Sequence, residues 1–137
     1  MSSVNDKLKA FFAADNKVKF AYLFGSMARN AEGKLSDLDL AVYLDGRVDF
    51  FAYRLKLMEL LAKRLGSERF DLIVLNRAPV LLRYEVIKEG IVLKEDRLRR
   101  VMFEARVLQE YLDTIHLRQV QREYLKEDLE HSGGIYG

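Results

Sequence analysis

The 137-residue chain contains no cysteine, only one proline, and no apolar run approaching the length of a membrane span. Without cysteine, disulfides and thiolate metal sites are excluded, so any metal must be held by oxygen or nitrogen donors. Without a run of about 20 apolar residues, no transmembrane helix is expected. The opening residues, Met1 to Asp6, lack the basic and apolar regions of a signal peptide, and a cytoplasmic protein is the expectation. A strong charge of one sign is also missing. Twenty-three basic and 21 acidic residues leave a net charge of +2, too small to imply nucleic-acid binding by itself, so direct binding to nucleic acid is not expected. Half of the residues are apolar, enough for a core, and the length suits one compact domain with one appendage. A second, substrate-binding domain does not fit.

Taken in order, Ser3 caps a first helix with Asp6 at its third position, Val4, Leu8, Phe11 and Phe12 share a stripe, and the helix ends near Asp15-Asn16. Val18 to Phe24 is short and β-rich. Met27 to Asn30 reads as a brief helical turn and Ala31 to Lys34 as a polar loop. A second strand runs from Asp37 to Leu44. A helix from about Asp49 to Leu65 follows, with Asp49 as cap, Gly66 as stop, and Leu55, Met58, Leu61 and Leu65 on its face. Phe70 to Leu75 forms a third strand. Pro79, the single proline, opens another helix, with Val80, Leu81, Tyr84 and Ile87 for contacts and Gly90 as terminator. Ile91 to Leu93 closes the sheet. From Asp96 a long helix carries Leu98, Val101, Ala105, Leu108, Leu112 and Ile115 at alternating steps of three and four, and its phase changes after Thr114.

Two apolar runs deliver the chemistry. Val18 to Phe24 leads into Gly25-Ser26, and the next run starts on Asp37-Leu38-Asp39. In a strand, side chains alternate faces, so Asp37 and Asp39 share one face while Leu38 and Leu40 turn to the core. Two carboxylates at i and i+2 make a metal clamp. Gly25 permits close backbone approach, and Ser26 offers a hydroxyl and amide N–H groups suited to phosphate oxygens. For cradle and clamp to meet, the second strand must begin where the first ends, antiparallel to it. The helix from Asp49 is long enough for a crossover, so the third strand lies parallel to the second and sets Asp71 beside Asp37 and Asp39. Carboxylates held this close repel one another, and a hard dication such as Mg²⁺ neutralises them.

Gly25-Ser26, ten intervening residues and Asp37-Leu38-Asp39 resemble the signature of the nucleotidyltransferase superfamily related to DNA polymerase beta. The flanking Gly-Ser-x-Ala-Arg and Ser-Asp-x-Asp-Leu look like the minimal nucleotidyltransferase branch, over roughly residues 18 to 95. Asn30 stands where such proteins often have glycine, and Asn tolerates the left-handed region better than most residues. The resemblance implies an α/β (α+β) nucleotidyltransferase fold, a small mixed β-sheet with flanking helices in residues 1–95; the residue pattern beyond it gives a C-terminal helical segment in 96–130 and a mobile tail in 131–137. The resemblance also implies ATP as substrate and two Mg²⁺ ions held by Asp37, Asp39 and Asp71, with Asp71 as candidate general base. Gly25 and Ser26 would bind the triphosphate. Arg29 either reaches it or braces the fold.

Members of that branch are commonly antitoxins paired with HEPN ribonucleases. The resemblance therefore implies an enzyme that moves AMP onto a hydroxyl, a tyrosine for example, of such a toxin. Two alternatives remain open at this level: a binding module that neutralises its toxin by contact alone, and an adenylyltransferase acting on an antibiotic hydroxyl. Beyond Leu117 the apolar residues Val120, Tyr124 and Leu125 have little chain left to cover them, so this segment either docks a HEPN-like protein or a second copy, or folds back on its own domain. His116 and His131 lack metal-ligand company.

Overall fold

The computed structural model describes residues 3–25 and 38–136, the last six of these as helix backbone. Helix α1 (Val4–Ala13) starts where Ser3 and Asp6 cap each other: the Asp6 N–H donates to the Ser3 hydroxyl, and the Ser3 N–H donates to the Asp6 carboxylate. Then come β1 (Val18–Phe24), β2 (Leu38–Leu44), α2 (Phe50–Leu65), β3 (Phe70–Val74), a 3-10 turn (Leu75–Arg77), α3 (Val80–Glu89), β4 (Ile91–Lys94) and α4 (Arg97–Tyr136). The expected turn and loop between Met27 and Lys34 lie outside the described residues, as does Asp37.

The four strands form one sheet in the order β3-β2-β1-β4. β1 is antiparallel to β2 and to β4, and β3 is parallel to β2, which α2 makes possible by crossing from the end of one to the start of the other. Asp49 caps α2 by accepting the Ala52 N–H, and Gly66 ends it with φ +67 in the left-handed region. The mixed sheet and the pairings of β2 with β1 and with β3 are those expected from the sequence, and β4 closes the sheet at its edge beside β1.

Both faces of the sheet are packed. On one, Leu8 and Phe12 of α1 and Leu57 and Leu61 of α2 cover Ala21, Leu23, Leu40, Val42 and Leu72. On the other, Val86 of α3 and Phe103 and Val107 of α4 cover Phe20, Tyr22, Phe24 and Ala41. A bulge between Val18 and Phe20 shifts the register by one residue, so Val18 faces the first layer and Phe20 the second although they are two apart. Because both faces of β1 are packed, every residue from Phe20 to Phe24 is buried, and only Lys19 interrupts the apolar run. The tyrosines serve packing: Tyr43 stacks on Phe20 at 4.8 Å, and the buried Tyr22 hydroxyl donates to Glu104 of α4 at 2.6 Å. Burial, with that carboxylate beside it, raises the Tyr22 pKa far above its ordinary value. Tyr53 donates to Asp15, tying α2 to the α1–β1 turn.

Several helix faces differ from expectation. In α2 the core residues are Leu57 and Leu61, while Leu55 is half-exposed; Leu55 lies two residues from Leu57, about 200° around the helix. In α3 the buried residue is Val86, and Leu81 is exposed; Val4 of α1 is exposed as well. The largest difference is in α4. Its expected stripe, including Leu98, Val101, Leu108 and Leu112, is solvent-exposed, and the side against the domain is a mixed one. There Phe103 and Val107 are buried, Glu104 receives the Tyr22 hydroxyl, Tyr111 stacks on Tyr84 at 3.7 Å, and Glu110 lies 3.7 Å from Arg83. Polar groups with partners waiting on the domain do not register as an apolar stripe. The helix also continues to Tyr136, past residue 130 where the sequence pattern ended it. No helix among the described residues is long and apolar enough to cross a membrane.

Asp45, just after β2, is buried and accepts from the Arg47 backbone N–H at 3.0 Å and from its guanidinium at 3.0 and 3.1 Å. The Arg47 side-chain hydrogen bonds, then its N–H, hold the carboxyl well below the usual carboxylate range. In the unfolded chain Asp45 regains its ordinary value, so its stabilising effect is complete above about pH 4 and is lost as pH falls below that. Asp45→Asn is therefore expected to be less stable at neutral pH and to lose less on acidification from about pH 4 to pH 2. Urea melts across that range check this; equal slopes for the two proteins would remove Asp45 from the acid response.

Candidate active site

Three strands present one residue each at the same end of the sheet. Phe24, the last residue of β1, pairs with Asp39 of β2, and Asp39 pairs with Asp71 of β3. Register partners on neighbouring strands lie about 4.8 Å apart and point to the same side. Asp39 and Asp71 thus share a face and a level, as the crossover topology requires. Leu38, Leu40 and Leu72 occupy the opposite face, in the layer under α1 and α2.

Gly25 completes the arrangement. It follows β1 with φ +77, a left-handed conformation that side chains rarely adopt, and a Cβ built on it would overlap Oδ2 of Asp39 and come within 3.2 Å of its Cγ. The glycine is needed first for the Asp39 carboxylate, which occupies the space a side chain would take. Gly25→Val is accordingly expected to displace Asp39, to cost about 1–3 kcal/mol through backbone strain alone, and to abolish ATP binding. Calorimetric titration with ATP alongside a urea melt checks both effects. Normal ATP affinity in a folded Gly25→Val protein would mean that this end of the sheet is not the nucleotide site.

Arg54 is a neighbour that reading the sequence missed. It rises from the first two turns of α2, donates from Nε to the Leu72 carbonyl at 2.7 Å, and brings Nη2 to 3.6 Å from Oδ1 of Asp71. Because β3 is an edge strand, the guanidinium reaches its carboxylate around the open side of the sheet. The Asp71 side chain is 62 % exposed, so the ion pair contributes at most about 1 kcal/mol and acts mainly to orient the carboxylate. The available signal was positional: an arginine early in the helix that crosses over to the strand carrying the third carboxylate. A cavity of about 570 Å³ lined by Phe50, Phe51, Arg54 and Arg77 lies toward the other end of β2 and β3, with Arg54 the residue shared between it and the carboxylate pair.

Of the expected site residues, the structure brings together Gly25, Asp39 and Asp71. Ser26, Arg29 and Asp37 lie outside the described residues. Among the described residues no group of three or more His, Cys, Asp or Glu gathers to hold a metal. The pair that does meet offers only carboxylate oxygens, a donor set that fits a hard dication such as Mg²⁺ and not a soft metal.

A mixed four-stranded sheet with a glycine turn and paired aspartates at one end is the framework of a nucleotidyltransferase, and this chain belongs to the family described as Polymerase beta, Nucleotidyltransferase, which matches residues 6–98. One relative is the protein adenylyltransferase MntA of Shewanella oneidensis, 33% identical over 92 residues that cover 66% of this chain and 65% of that protein, just under two thirds of its length. The fold is similar to that of a chain in a crystal structure of a toxin-antitoxin with AMP-PNP, with a TM-score of 0.72, 27% identity, and coverage of 90% of this chain and 98% of the other. A chain in a crystal structure of the toxin-antitoxin MntA-HepT gives a TM-score of 0.64 at 26% identity, covering 88% of this chain and 94% of that one.

Proposed function

We propose that this chain is an Mg²⁺-dependent nucleotidyltransferase that moves AMP from ATP onto a protein hydroxyl, a tyrosine of a HEPN ribonuclease toxin, and so serves as its antitoxin in the cytoplasm. The observation that carries the proposal is the Gly25, Asp39 and Asp71 arrangement at one end of the sheet. The relative named a protein adenylyltransferase, and the similar chain from a toxin-antitoxin with AMP-PNP, support the choice of nucleotide and acceptor.

In this mechanism Asp37, Asp39 and Asp71 would hold two Mg²⁺ ions. When bound, Mg²⁺ supplies positive charge against the triphosphate and makes the acceptor hydroxyl easier to deprotonate. Gly25 and Ser26 hold the β- and γ-phosphates through amide N–H groups and the serine hydroxyl, which leaves the α-phosphorus in line with the acceptor. The acceptor oxygen forms a new bond to that phosphorus, the bond from the α-phosphorus to the bridging oxygen breaks, and pyrophosphate leaves. Asp71 takes the hydroxyl proton, oriented for it by Arg54. Arg29 provides a further contact to the triphosphate. The exposed distal half of α4, from Leu117, docks the toxin and brings its hydroxyl to the carboxylates.

Intact mass spectrometry of a HEPN protein co-expressed with this chain tests the proposal. The expected result is a gain of one or more AMP units, mapped to tyrosine. A tight but unmodified complex would overturn the transfer and leave a binding antitoxin.

A further inference from the structure

The side of α4 turned away from the sheet carries a seam that is exposed from Leu98 to Leu112 and part-buried at Ile115. Leu98, Val101, Ala105, Leu108, Leu112 and Ile115 recur at steps of three, four, three, four and three, the 3.5-residue period of positions that meet another helix lengthwise. Leu98 is 71% exposed and Leu112 58%. The inner side of the same helix is already engaged through the buried Phe103 and Val107, so the seam runs along the outer side of α4, bordered on one flank by Glu104 and Tyr111 where these reach the domain.

We propose that this seam binds the same seam of a second copy of the chain, antiparallel, giving a helix-to-helix dimer with the two sheet domains on the outside. The step pattern reads the same in both directions. Antiparallel alignment sets Leu98 against Ile115 of the second copy, Val101 against Leu112, and Ala105 against Leu108, so the smallest seam residue meets a large one in the central layers. Parallel alignment would instead set Ala105 against Ala105 and leave a gap there. The end of the seam points the same way. The helix begins at Arg97, and in the antiparallel dimer Arg97 lies beside His116 of the second copy, one residue past the last seam position. Beyond that point the second copy offers no helix, and there the apolar residues, Leu117, Val120 and Tyr124, move to another side of α4. A partner of another kind gives no reason for the seam to stop where its own helix starts.

The flanks permit the pairing. Along one flank Met102 would face His116 of the second copy, and Gln109 its own counterpart, so no like charges meet there. Arg97 and Arg118 form the one like-charged pair, at an exposed rim where salt screens it. The seam is about 26 Å long, and one helix pair buries less than the roughly 800 Å² per partner of standard interfaces, so the dimer is a reversible, micromolar one. It uses none of Gly25, Asp39 or Asp71, and does not depend on the nucleotide-transfer reading.

Sedimentation equilibrium of the full chain tests the dimer, and its orientation can be trapped because the chain has no native thiol. The expected mass approaches twice 16.0 kDa at high micromolar concentration. Leu108→Glu, at a position exposed in the single copy, is expected to keep its circular dichroism and to weaken association by about 100-fold or more by placing a charge in the seam. On oxidation, an equimolar mixture of Ala105→Cys and Leu108→Cys chains should yield the mixed disulfide, whereas Leu98→Cys alone should not crosslink to itself. A chain that stays monomeric throughout overturns the proposal. So does Leu98→Cys self-crosslinking, which would make the pairing parallel. If the chain alone is monomeric and Leu108→Glu loses capture of a HEPN protein, the seam belongs to that protein and not to a second copy.

Discussion

Asp39→Asn is expected to leave the protein folded and to reduce nucleotide transfer by about 1,000-fold or more, beyond the effect of removing a single positioned hydrogen-bond donor. The amide keeps the shape of the carboxylate, so it still fills the space that Gly25 leaves open, and the pairings of Asp39 with Phe24 and Asp71 are made by the backbone. What it loses is the negative charge that a hard dication requires. Stability should change little or rise slightly, because one of two facing carboxylates no longer repels the other. The two consequences are separable: a thermal melt reports the fold, and transfer to the co-expressed partner at saturating Mg²⁺ reports the chemistry. Near wild-type transfer in a folded Asp39→Asn protein would falsify the assignment of Asp39 to the metal. Loss of transfer together with a large fall in melting temperature would assign the residue a structural role.

The parts of this protein most legible in its sequence are those in which local chemistry and global packing coincide. Ser3 and Asp6 form the capping box because both partners are within one turn, and Asp49 and Gly66 bound α2 for similarly local reasons. The antiparallel pairing of β1 with β2 and the parallel pairing with β3 could be inferred because Gly25 and the aspartates must meet, and a helix of crossover length separates β2 from β3. Helix orientation was less legible. Apolar periodicity shows which side of a helix is oily, but not which oily or mixed side faces its own domain. In α4 the regular seam faces out, and the inner side is half polar, its Glu104 and Glu110 satisfied by Tyr22 and Arg83 from distant parts of the chain. Arg54 escaped for a related reason. Its role depends on reaching around the edge of β3, and edge position is a property of the whole sheet.

The same reversal of α4 shapes the other large expected effect. The sequence left two fates for the segment after Leu117, docking a partner or folding back on the domain, and the structure excludes the second for the described side chains: every residue from His116 to Glu130 is exposed. Before that stretch Glu110 and Tyr111 contact Arg83 and Tyr84 of the domain, Thr114 closes the turn on Glu110, and Thr114 and Ile115 are part-buried. Truncation after Ile115 therefore removes no buried side chain described here and retains the whole outward seam. Its expected cost in stability is below about 1 kcal/mol, the range for changes at solvent-facing positions. Yet it removes Leu117, Val120, Tyr124, Leu125 and Leu129, half-exposed to largely exposed apolar residues concentrated on a single helix segment. The truncated chain should fold, bind ATP with unchanged affinity, self-associate as the full chain does, and fail to capture or modify a HEPN protein. Co-purification with that protein and calorimetric titration with ATP read these outcomes independently. Normal modification by the truncated chain would move the docking surface to the sheet domain or the proximal half of α4, and unfolding would show that the distal helix stabilises the domain through contacts beyond its exposed face.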